Sequence, residues 1–146
     1  MKGRCWMTGG HWSLDDISWE RFDASKVDPE LVKIVKAASM VEYNGGDYAT
    51  YLCNVFPDDA AFQAAARAWA VEEVQHGQAL ARWAALADPE FDFAAAFARF
   101  QAGFRVDFHA DRSRRGSRSG EMVARCVVEI GTSSYYSALR EAAAEP

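Results

Sequence analysis

The stretch from Asp58 to Asp88 constrains this chain most. It is alanine-rich and periodic, opens on Asp58-Asp59 and is stopped by Asp88-Pro89. Such a run predicts a long α-helix, and Phe62, Trp69, Leu80 and Trp83 mark the face turned toward the interior. Glu73-Val-Gln-His76 lies on that face, because residues three apart on a helix project together. Burying a carboxylate with an imidazole is unfavourable unless a counter-charge compensates, and a bound cation does so at least cost.

The remaining segments also follow helical spacing. Asp28-Pro29 reads as an N-cap followed by proline at the first helical position. The helix it opens is predicted to run to Phe56-Pro57, with a core stripe through Leu31, Ile34, Val35, Ala38, Val41, Gly45, Ala49 and Leu52. Gly45-Gly46 inside it costs roughly 1 kcal/mol per glycine relative to alanine, a penalty that close approach of a neighbouring helix or a ligand would explain. Phe93, Phe97, Phe100, Phe104 and Phe108 predict a shorter amphipathic helix within 90–108. The basic, Gly/Ser-rich run 111–120 reads as a loop. A last helix is predicted from about Glu121 to Ala143, with Met122, Cys126, Glu129, Thr132, Ser133 and Tyr136 on one face. Residues 1–27 read as an irregular segment whose Trp6, Trp12, Trp19 and Phe22 drape over the outside. The expected fold is all-α: an N-terminal segment, 1–27, then one helical domain, 28–146.

Composition narrows the function classes. A net charge of −5 argues against general nucleic-acid binding. No apolar run approaches the roughly 20 residues of a membrane span, and the N-terminus lacks the apolar core of a secretory signal. Cys5, Cys53 and Cys126 are widely spaced, show no zinc-ligand pattern and suit a reducing cytoplasm, the expected location. Cys126 falls on the predicted core stripe and reads as packing.

Glu42 on the first helix, Glu73 and His76 on the second and Glu129 on the last all fall on predicted core stripes. Carboxylates with imidazole suit iron or manganese. A Glu from one helix with Glu-x-x-His from the next is half of a di-metal carboxylate site in a ferritin-like bundle. Glu72, about 100° around the helix from Glu73, is expected to point off the metal axis. Tyr136 is the tyrosine expected nearest the metals. His11 and His109 read as surface residues. A bundle without metals, serving binding or structure, fits the same residues.

Trp69-Ala-Val-Glu-Glu-Val-Gln-His-Gly77 resembles the W-x-x-E-E-x-x-H-G run of soluble acyl-carrier-protein desaturases, within the ferritin-like di-iron superfamily. Glu129-Ile-Gly-Thr132 resembles the E-x-x-T of their third bundle helix. The resemblance spans roughly residues 28–140. It implies two irons held by Glu42, Glu73, His76 and Glu129 together with a further motif, O2 activation, and Thr132 acting catalytically near the oxygen site. It also implies oxidation of an acyl chain, with an acyl carrier protein and a ferredoxin-like electron donor as partners. A homodimer is the expected assembly. Manganese is the alternative metal, and a rubrerythrin- or ferritin-like peroxidase or iron-handling protein is the alternative activity.

One departure matters. The family carries a second E-x-x-H on a fourth helix, and no His follows Glu141 or Glu145 here. The expectation is a ferritin-like bundle without its fourth helix in this chain, by truncation in preference to completion by a partner chain. Such a remnant is expected to expose an apolar flank. The arginines 112, 114, 115 and 118 are a candidate docking surface for an acidic carrier protein, with a solvated loop as the alternative.

Overall fold

The structure, a computed structural model, describes residues 12–104, 107 and 110–143. Cys5, Trp6, His11, Phe108, His109 and Glu145 lie outside the described residues. Five α-helices follow three short 3-10 turns between Leu14 and Lys26: α1 (Pro29–Tyr43), α2 (Gly45–Val55), α3 (Ala60–Ala87), α4 (Phe93–Gly103) and α5 (Arg118–Ala142). Among the described residues there is no strand, and no helix is long and apolar enough to cross a membrane.

The helix punctuation follows local chemistry. Asp28 caps α1 by accepting from Glu30 N–H, Asp59 caps α3 through Phe62 N–H, and Ser117 caps α5 through Gly120 N–H. Two boundaries differ from expectation. The helix predicted to reach Phe56 is two, with Asn44 as the single residue between α1 and α2, because Asn44-Gly45-Gly46 is a run of poor helix formers. The loop expected through Gly120 yields three residues to α5, whose cap is Ser117.

α1 and α3 form the most extensive helix pair, followed by α2 and α3. Contacts pair rising residue numbers on α1–α2 with falling ones on α3: Lys36 with Asp88, Tyr43 with Gly77, Gly45 with Glu73, Gln63 with Cys53. The α1–α2 rod therefore runs antiparallel to α3. Two glycines allow the close approach. A Cβ on Gly45 would lie 2.5 Å from Glu73 Cβ, and one on Gly77 would lie 2.5 Å from the Tyr43 backbone nitrogen. Of the two reasons expected for the glycine pair, a neighbouring helix or a ligand, the structure presents the neighbouring helix at Gly45. Tyr51, Leu52, Val55, Phe56 and Ala66 make the main buried apolar cluster at the α2–α3 end.

α5 is attached differently. Val123, Val127, Val128 and Ile130 are exposed, Ile130 at 69%. Polar contacts supplement the packing of Met122 on the buried apolar cluster. Near its start Glu121, 1% exposed, accepts hydrogen bonds from Tyr48 (2.5 Å), Tyr51 (2.7 Å) and Ser113 (2.7 Å) hydroxyls. Arg118 binds Asp58 at 2.5 Å and the Val55 carbonyl at 2.9 Å. Farther along, Tyr136 donates to Glu42. These contacts also run antiparallel to α1–α2. Cys126, expected in the core, is exposed, because the inward stripe of α5 passes through Glu121, Arg125, Thr132 and Tyr136, and Cys126 lies about 100° from Arg125. Val41, also expected in the core, is 55% exposed, while its neighbour Glu42 takes the buried position.

Two expectations test this packing. Alanine is a better helix former than glycine by about 0.8–1.0 kcal/mol, so propensity alone predicts that Gly77→Ala stabilises. The steric conflict with rigid Tyr43 backbone outweighs it, and overpacking predicts a net loss of about 1–3 kcal/mol by chemical denaturation. Gly131→Ala, where an added Cβ meets nothing within 4 Å, should stabilise and serves as the control. The second concerns Glu121. Burial raises its carboxyl pKa, but the Tyr48, Ser113 and Tyr51 hydroxyls outweigh that and hold it below the usual 4.5. Its stabilising contribution is therefore present above about pH 4.5 and lost as pH falls through the lower folded value. Glu121→Gln should cost about 1–3 kcal/mol at neutral pH, with the gap to wild type narrowing in acid denaturation profiles.

Candidate metal centre

Glu42 lies at the C-terminal end of α1, with its side chain 7% exposed. Across the glycine contact, α3 delivers Glu73 and, one turn on, His76. His76 Nδ1 sits 3.7 Å from Glu42 Oε2 and 3.6 Å from Glu73 Oε1. One ligand atom from each of the three residues falls within 4.8 Å of the others. Ligands about 2.0–2.2 Å from a common first-row metal stand roughly 3 Å or more apart. The two His76 distances are a little wider than that, and the whole set lies within 4.8 Å. Two oxygens and a nitrogen are a suitable donor set for iron or manganese.

The charges show why the cluster calls for a cation. Burial raises both carboxyl pKa values. At Glu42, contacts from His76 and Tyr136 outweigh burial, and its pKa is lowered. Glu73, next to the charges of Glu42 and Glu129, is raised. His76 is pushed up to about 10 by Glu42 and then Glu73, against its partial burial. The imidazolium thus serves as the cation where no metal does. Burial and the hydrogen bond to Glu42 raise Tyr136 well above an ordinary phenol, so it remains a donor.

The imidazole is 42% exposed, less enclosed than the apolar pattern of α3 predicted. Trp12 compensates in part by stacking on it, ring centroids 5.7 Å apart and 9° from parallel, while Gln75 Nε2 donates to the Trp12 carbonyl at 2.5 Å. The aromatic N-terminal segment therefore packs against α3, as Phe22 on Trp83 and Trp19 under Arg82 also show.

Of the four residues expected to ligate metal, the structure gathers Glu42, Glu73 and His76. Glu129 stands at the edge. It is bound to Arg125 on its own helix and half exposed, yet it lines a cavity of about 240 Å³ with Glu42 and Glu73. Thr132 lines that cavity too, its hydroxyl bonded to the Val128 and Glu129 carbonyls at 3.1 Å each. Glu72 is outside the converging group. Tyr136, expected near the metals, reaches Glu42 directly. On the other side of the cluster lies a second cavity of about 420 Å³, almost wholly apolar, with Val35, Leu80, Trp83 and Leu139 in its wall and Glu42 and His76 at its polar edge.

Sequence reasoning missed Arg125 and Glu121. The signal for Arg125 was its place four residues before Glu129, the spacing of a helical ion pair. Glu121 gave no signal, because its three hydroxyl partners lie on α2 and in the preceding loop.

In the metal-free protein the His76 imidazole is expected to titrate near pH 10, followed through its ring proton shifts by NMR. Its favourable contacts with the carboxylates are complete below about pH 6.5 and lost as pH rises through that folded value. Glu42→Gln should move the transition back toward 6.5; an unshifted imidazole in wild type would contradict the cluster. Comparison with protein-family models, with curated proteins and with solved structures finds no match to this chain.

Proposed function

We propose that this chain carries a metal centre of an iron-dependent oxidoreductase with a ferritin-like bundle, acting on an apolar, acyl-type substrate. The observation that carries the proposal is the meeting of Glu42, Glu73 and His76 from two antiparallel helices at a glycine-permitted contact. The apolar flank of α5 supports a bundle with room for another helix.

Glu42, Glu73 and His76 would hold the ion, and bound iron would supply the reduction of O2. This chain's own residues do the rest. Tyr136 keeps a proton beside Glu42 Oε1 and fixes that carboxylate's orientation. Trp12 holds the imidazole plane. The apolar cavity would place a hydrocarbon segment against the Glu42–His76 edge. Thr132, at the wall of the smaller cavity, is positioned to hold a water.

The partner proposals fare unequally. Arg114 binds Asp107 at 3.0 Å and Arg118 binds Asp58, so carrier-protein docking rests on Arg112 and Arg115. A second class of function, a metal-free binding bundle, draws on the imidazolium that already offsets part of the charge of the two carboxylates.

Metal analysis and O2 uptake separate these classes. Purified protein should hold stoichiometric iron and consume O2 with an acyl substrate and a reductant. Loss of an outer-shell partner alone costs about 10–100-fold in metal affinity, so Glu42→Gln, Glu73→Gln or His76→Ala should cost at least that. Absence of iron and manganese would favour the metal-free bundle. Turnover of Fe(II) or peroxide without acyl oxidation would move the protein to the iron-handling class.

A further inference from the structure

Arg125 is the largest charge near the centre that the proposed chemistry does not use. Its guanidinium lies 4.7 Å from the Tyr48 ring centroid and 4.9 Å from that of Trp69, and it binds Glu129. Tyr48 is itself fixed through its hydroxyl to buried Glu121. The guanidinium therefore sits in the corner formed by two roughly perpendicular aromatic rings. The cavity it enters also contains Glu42, Glu73 and Glu129. Three carboxylates around one small space need more positive charge than His76 provides, and Arg125 supplies it. A guanidinium cannot lose its proton to make way for a metal; it has to move.

We propose that Arg125 is a resident cation beside the metal centre. It holds Glu129 and the space next to Glu42 and Glu73, so each chain takes one divalent ion, at Glu42, Glu73 and His76. A second ion enters only when Glu129 leaves the guanidinium. The proposal rests on the metal-centre function above. It makes the Arg125–Glu129 pair the element that separates a one-metal state from a two-metal state.

The test is anaerobic titration of the full chain with Fe(II), and with Co(II) as a spectroscopic probe, read by calorimetry and visible absorption. Wild type should bind one ion per chain. Arg125→Met keeps an unbranched apolar stem against Tyr48 and Trp69 but removes the charge. It should bind a second ion, at least about tenfold tighter than any second event in wild type. Arg125→Lys should remain at one ion, and adding Glu129→Gln to Arg125→Met should abolish the second. Should Arg125→Met fail to fold by circular dichroism, Glu129→Gln alone decides: first-ion affinity is expected to stay at the wild-type value. Two ions of similar affinity in wild type would overturn the proposal, as would a single ion in folded Arg125→Met or loss of the first ion in Glu129→Gln. No ion in any variant would refute the metal centre itself, an outcome distinct from one ion throughout.

Discussion

The contact of the α1–α2 rod with α3 governs everything else in this molecule. Gly45 and Gly77 face the opposite helix at distances where no other side chain fits without displacement. That closeness brings Glu42 of α1 level with Glu73 and His76 of α3. Ordinary helix packing at 8–10 Å between axes leaves room for side chains at every contact position. Here two such positions are given up, and the helices approach where Glu42, Glu73 and His76 converge. The interruption at Asn44 belongs to the same arrangement: glycines that permit the approach also weaken the helix containing them.

Negative charge inside the bundle is the second theme. Glu42, Glu73 and Glu121 are drawn from water, and each is met by a different device. Glu121 accepts three hydroxyl hydrogen bonds, a fully satisfied polar network that anchors α5 beside the packing of Met122 on the buried apolar cluster. Glu42 and Glu73 share His76, with Tyr136 completing Glu42. Glu129, less enclosed, takes Arg125. The carboxylate of Glu121 is thus met by hydroxyls, whereas Glu42 and Glu73 face the titratable His76. A proton on His76 and a metal ion are alternatives for the same role, because a ligating imidazole must be neutral.

The two cavities give the centre two distinct sides. The larger is lined by aliphatic and indole surface and touches the cluster only at Glu42 and His76, as suits a hydrocarbon ligand. The smaller is mixed, with Arg125, Glu129 and Thr132 in its wall beside Val41, Trp69 and Val128.

Much of this was legible in the chain itself. The 3.6-residue periodicity, the Asp caps and the prolines determined the helices and placed α3 within two residues of its observed bounds, because those signals act locally. Glu-x-x-His on an apolar face pointed to Glu73 and His76, and the core stripe of the first predicted helix pointed to Glu42. Tertiary structure alone decided the rest. Which way α5 faces depends on Glu121 meeting Tyr48 and Tyr51, and that rotation puts Cys126 in solvent and Arg125 inside. Whether Glu129 faces a metal or an arginine depends on the Tyr48 and Trp69 rings that hold the guanidinium. A hydrophobic stripe specifies that a helix has an inner face, but the partners it meets there are set by residues far away in sequence, and charged side chains settle where those partners are.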